Sequence, residues 1–115
     1  MTKGKRGEHL PPPSAWRVRA VDRQAADGWH ELARQAGGNL RRAWIALTED
    51  PRSGANPSRQ HRLKGRLAEK SVEGVVCELW QYEITGAGRL WYAIDDAAKT
   101  LWIVHAGPGH PKATD

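Results

Sequence analysis

Period-two alternation is clearest in Arg89-Leu90-Trp91-Tyr92-Ala93-Ile94-Asp95. Leu90, Tyr92 and Ile94 fall on one side of an extended chain, and Arg89, Trp91 and Ala93 on the other. That pattern makes a strand with two distinct faces. Gly86-Ala87-Gly88 supplies a turn before it, and residues 75–85 (VVCELWQYEIT) form a second candidate strand upstream. Residues 96–99 (DAAK) are a short connection to a third, residues 100–106 (TLWIVHA). Such short links join antiparallel neighbours.

Further upstream, residues 16–21 (WRVRAV) suggest a first strand, and Asp22 can cap the helix that follows. Ala25, Ala26, Trp29, Leu32, Ala33 and Ala36 recur at helical spacing, and Gly37-Gly38 ends that run. Asn39 can cap a second helix with Leu40, Ala43, Trp44 and Leu47 inward and Arg41 and Arg42 outward. Asp50-Pro51 stops it, and residues 51–60 (PRSGANPSRQ) read as a loop. Two helices with a three-residue junction predict an αα-hairpin. The expected fold is therefore α+β, in the order β-α-α-β-β-β, with a helical hairpin packed on a small, mostly antiparallel sheet. Residues 1–15 read as a flexible basic, Pro-rich tail, and residues 16–115 as a single domain.

Composition narrows the function classes. No apolar run is long enough to span a membrane, and the basic start MTKGKRGEHLPPPS has no apolar core of a secretory signal. Cys77 is the only cysteine, so no intramolecular disulfide and no multi-cysteine zinc site can form. A cytoplasmic protein is expected. The net charge is +5 and uneven: residues 34–66 hold eight basic and two acidic side chains, whereas residues 67–115 hold four basic and seven acidic. Twelve of the 18 cations are Arg, which pairs with phosphate in bidentate geometry, so the basic middle favours a polyanion. The alternative is an ordinary solvated helix face.

The five histidines have no metal-ligand spacing among themselves or with Cys77, and no phosphate-binding loop is present, so neither a metal nor a cofactor is expected. In His61-Arg62-Leu63-Lys64-Gly65-Arg66 an extended chain would put Arg62, Lys64 and Arg66 on one side as a phosphate-binding ridge, or as a solvated edge that resists aggregation. Arg89 follows a glycine turn, where a guanidinium meets an anion in fixed geometry, or pairs with Glu78 or Glu83 on the neighbouring strand. His110 and Lys112 lie in GPGHPK after the last strand, where a histidine can exchange protons or simply belong to a tail. His105 reads as a packed or half-exposed sheet residue. With no Phe in the chain, Trp29 and Trp44 are assigned to the core. Trp80, Trp91 and Trp102 are open between core packing and stacking on bases.

Leu63-Lys64-Gly65, Trp80-Gln81-Tyr82-Glu83-Ile84, the run Gly88 to Asp95, and Val104-His105-Ala106-Gly107 together resemble the RelE/ParE superfamily of bacterial type II toxins, over about residues 16–112. The resemblance implies a toxin neutralised by a cognate antitoxin. Its RelE/HigB-like branch consists of ribosome-dependent, metal-independent mRNA endoribonucleases that repress translation; its ParE-like branch inhibits DNA gyrase. The resemblance to the first branch implies Arg89, His110 and Lys64 as catalytic residues and Arg62, Arg66, Lys112 and Trp91 as RNA contacts. The strand 75–85 departs from the family pattern, carrying Glu78, Gln81 and Glu83 where relatives carry more cations. Glu78 or Glu83 is then a candidate base or a partner for Arg89. A non-catalytic nucleic-acid-binding or antitoxin-binding module is the reading that this acidic strand favours.

Overall fold

The computed structural model describes residues 3–10 and 16–108. It is α+β, with one long helix on a mixed six-stranded sheet. In chain order the elements are β1 (Arg17–Ala20), α1 (Arg23–Glu49), β2 (Gln60–Arg62), a 3-10 turn (Gly65–Leu67), β3 (Glu69–Val72), β4 (Val75–Glu83), β5 (Gly88–Asp95) and β6 (Thr100–Pro108). The sheet order is β1-β6-β5-β4-β2, with β3 also on β4. Only β1 and β6 run parallel; every other pairing is antiparallel. Residues 3–10 are exposed and form no helix or strand.

The β5 alternation sorts the two faces as expected. Leu90, Tyr92 and Ile94 join the core under α1, with Leu32, Leu40, Ala43 and Leu47 of the helix and Leu101 and Ile103 of β6. Trp91 and Ala93 join Cys77, Leu79 and Trp102 in a second apolar layer on the opposite face, here termed the outer face. Trp29 and Trp44 are half-buried, and Trp29 packs beside the first core.

The helical hairpin is corrected to one helical element with an internal break. Asp22 does cap it, its carboxylate accepting from the Ala25 amide at 2.8 Å, and the helix does stop before Asp50-Pro51. The break is a single residue, Ala36 (φ −147°, ψ 51°), not a three-residue junction. Gly37, Gly38 and Asn39 are helical, and Asn39 uses its side-chain amide to donate to the Ile84 carbonyl rather than to cap. The break still turns the chain. Trp29 and Trp44 line one cavity, although a straight helix would hold them about 22 Å apart.

Two strands went unforeseen, β2 and β3. β2 overlaps the span that reads as loop and basic ridge, β3 follows it, and each is too short to show alternation. The β3–β4 hairpin closes on Glu73-Gly74, with φ of 53° and 79° at its two central residues. Positive φ at both positions is the geometry whose twist matches a tight hairpin, and glycine makes it accessible.

Candidate functional site

The lower end of the sheet is tied by a polar network. Arg52, in the loop after α1, donates from Nε to Glu78 at 3.0 Å and from both terminal nitrogens to Asp96 at 2.9 and 2.8 Å. Trp80 Nε1 donates to the same Glu78 oxygen at 3.0 Å. Burial opposes ionisation of Glu78, but the hydrogen bonds from Trp80 and Arg52 outweigh it and hold the carboxyl below its ordinary value. A carboxylate so engaged, on the helix side of β4, makes a poor base and cannot pair with Arg89. The loop is also anchored by Tyr92, whose buried hydroxyl donates to the Pro51 carbonyl at 2.7 Å and accepts from Gln60 at 3.0 Å.

The outer face carries the candidate chemistry. A cleft of about 490 Å³ opens there, lined by Leu79 and Trp91 on the sheet, Val104, His105 and Ala106 on β6, Arg66, Leu67, Glu69 and Lys70 from the 3-10 turn and β3, and Asp22, Gln24, Ala25 and Gly28 at the start of α1. Its charged lining is two cations, Arg66 and Lys70, against two carboxylates, Asp22 and Glu69. Gln81, Trp91 and His105 lie side by side across β4, β5 and β6. Trp91 Nε1 donates to Gln81 Oε1 at 2.9 Å, and the Trp91 and His105 rings meet edge to face with centroids 6.1 Å apart.

His105 reaches this face because of a bulge. Trp91 faces His105 while the next residue, Tyr92, faces Ile103, leaving Val104 as an extra residue in β6. Strict alternation from Ile103 would have sent His105 to the helix side. A bulge has no reliable mark in a single sequence, which is why His105 did not stand out as a site residue.

Arg89 sits one step along β5 from Trp91 on the same face, opposite Glu83 on one side and Gly107 on the other. Its Nε is buried with no hydrogen-bond partner, and it makes no ion pair among the described residues. The pairing with Glu78 or Glu83 is therefore absent. A buried guanidinium nitrogen without an acceptor is costly unless an anion completes it.

The remaining expected residues are placed as follows. The ridge of Arg62, Lys64 and Arg66 is corrected: the chain turns into a 3-10 helix at Gly65 (φ 62°), so period two is lost. Arg62 points both Nε and a terminal nitrogen at the Ala68 carbonyl, at 3.3 and 3.2 Å. Lys64 is exposed at the start of the 3-10 turn, and Arg66 alone of the three lines the cleft. Trp91 is corrected as a base-stacking surface: it is 3% exposed and its indole is committed to Gln81. Trp102 is 7% exposed beneath the Arg19 guanidinium, 4.7 Å from the ring centroid. His110 and Lys112 lie outside the described residues. Among the described residues no group of three His, Cys, Asp or Glu is placed to hold a metal, and no helix is long and apolar enough to cross a membrane.

Compared with protein-family models, with curated proteins and with solved structures, the chain matches none.

Proposed function

We propose that this chain is a cytoplasmic RelE-like toxin of a type II toxin–antitoxin system, which cleaves ribosome-bound mRNA without a metal and is neutralised by a cognate antitoxin. The observation that carries the reading is Arg89: its backbone is held in β5, its Nε is buried without an acceptor, and it lies on the same sheet face as His105. In the reaction a ribose 2′-oxygen attacks the adjacent phosphorus. The P–O5′ bond breaks, leaving a 2′,3′-cyclic phosphate and a 5′-hydroxyl. Arg89 stabilises the negative charge that builds on the phosphorane oxygens. A base must take the 2′-hydroxyl proton and an acid must return one to the 5′-oxygen. His110 is the candidate from the sequence for one of these steps; His105 lies on the same face as Arg89, with its Nε2 buried. Arg66 and Lys70 hold flanking phosphates from the rim of the cleft, with exposed Lys64 just beyond it.

The test is induced expression of wild type and Arg89→Ala, with growth recorded and mRNA ends mapped by primer extension. Wild type arrests growth and cuts ribosome-bound message; Arg89→Ala lowers cleavage by about 10²–10³-fold. Equal arrest by Arg89→Ala overturns the site. Arrest with intact mRNA and DNA damage indicates a gyrase inhibitor instead. Salt-sensitive RNA binding with neither cleavage nor arrest indicates a non-catalytic module.

A further inference from the structure

We propose that Arg42 and Arg59 form a second anion subsite, which takes a backbone phosphate of single-stranded RNA flanking the phosphate on Arg89. The proposal rests on the RNA reading above and extends it to the path of the strand.

Several of the cations in the basic middle are already committed. Arg34 is bonded to Glu31, Arg52 to Glu78 and Asp96, and Arg62 to the Ala68 carbonyl. Arg42 on α1 and Arg59 just before β2 have no carboxylate within ion-pair distance among the described residues. They nevertheless converge on one cleft of about 600 Å³ at the upper end of β4, lined also by Asn39, Tyr82, Glu83, Ile84, Thr85 and Gly86. Arg42 is oriented there by Asn39: its terminal nitrogen donates to the Asn39 side-chain oxygen, while the Asn39 amide is fixed on the Ile84 carbonyl. Glu83 is the one carboxylate in the lining, and it forms an ion pair with neither arginine. Two arginines aimed into a polar cleft repel each other until an anion enters, and planar guanidinium groups suit phosphate oxygens.

The placement relative to Arg89 gives the ligand its class. The Arg59 carbonyl accepts the Glu83 amide at 2.8 Å, and Glu83 lies directly opposite Arg89. Arg59 and Arg89 are thus two strand spacings apart, about 10 Å along one row of the sheet. That spacing suits neighbouring phosphates of one RNA strand.

The experiment is fluorescence anisotropy with labelled oligouridine of two and about 12 nucleotides, titrated across a range of KCl. Arg42→Ala/Arg59→Ala is compared with wild type and with Arg17→Ala/Arg23→Ala, which removes two exposed cations away from the cleft. The expected result is a salt slope that falls by about 0.7 in the cleft variant for the long RNA, binding of the dinucleotide, whose single phosphate cannot span both positions, unchanged, and the control pair close to wild type. Equal losses in both double variants would show a net-charge effect and overturn the subsite, as would no loss in the cleft variant. Cleavage is scored separately. If wild type binds with the expected slope but never cuts, the catalytic reading fails and the subsite stands. If wild type binds neither RNA, both fail.

Discussion

Arg52 grips Asp96 through both of its terminal guanidinium nitrogens, at 2.9 and 2.8 Å, across 44 residues of sequence. Its Nε holds Glu78 at the same time, so one side chain joins the loop after α1 to β4 and to the β5–β6 turn. The Arg52 hydrogen bonds hold the Asp96 carboxyl below its ordinary 3.8. Trp80 and Arg52, against the opposing effect of burial, hold Glu78 below 4.5. Both groups bind protons less readily when folded than when unfolded. Their stabilisation is therefore complete above the unfolded values and lost as pH falls through the folded ones.

Arg52→Ala is expected to cost about 1 kcal/mol near neutral pH, because the pairs are partly exposed and solvent screens them. It also flattens the acid limb: as pH falls below about 4.5, the unfolded value of Glu78, the Tm of wild type falls more steeply than that of the variant. Thermal denaturation followed by circular dichroism across that range checks both points, and parallel acid limbs would refute the role assigned to Arg52.

Gly28 lets α1 approach the sheet. A Cβ there would stand 2.1 Å from the Ala106 carbonyl oxygen and 3.0 Å from its carbon, and neither atom can yield without moving β6. Gly28→Ala is expected to destabilise the fold by more than about 3 kcal/mol, although alanine is the better helix former. Urea denaturation measures it. A variant within about 0.5 kcal/mol of wild type would mean that the helix sits further from β6.

Trp91→Phe keeps the ring in the outer layer but deletes the donor to Gln81. The buried Gln81 oxygen then lacks a partner, at a cost of about 1–2 kcal/mol. Because Trp91 is buried, RNA affinity at constant salt is expected to be unchanged. A large loss of affinity with unchanged stability would restore the stacking role.

Cys77 is 2% exposed, and burial pushes its thiol above the ordinary value. Alkylation of the native protein is expected to be slow and to follow transient unfolding, so that adding urea below the midpoint accelerates it in step with the unfolded population. Reaction at the rate of a free thiol in buffer would place Cys77 on an accessible edge.

How far the chain can be read without its fold varies from element to element. The faces of β5, the cap at Asp22, the stop at Asp50 and the position of Arg89 after a glycine turn follow from local spacing, since each depends on neighbours within a few residues. The same local rules misplace the helix break by reading Gly37-Gly38 as an end, when those glycines continue the helix and the break falls at Ala36. They also read Arg62, Lys64 and Arg66 as one ridge, because nothing local announces that the chain turns at Gly65. The fates of Glu78 and Trp91 were set by partners far off in sequence, Arg52 in one case and the sheet neighbour Gln81 in the other. His105 faces the cleft only because β6 carries one residue more than β5 across the bulge, and Arg42 meets Arg59 only because the bent helix returns over the end of β4. Composition and periodicity determine which side chains are available and which face of an element each occupies. Whether a charge is free or already neutralised depends on long-range pairing, and that is a property of the folded sheet.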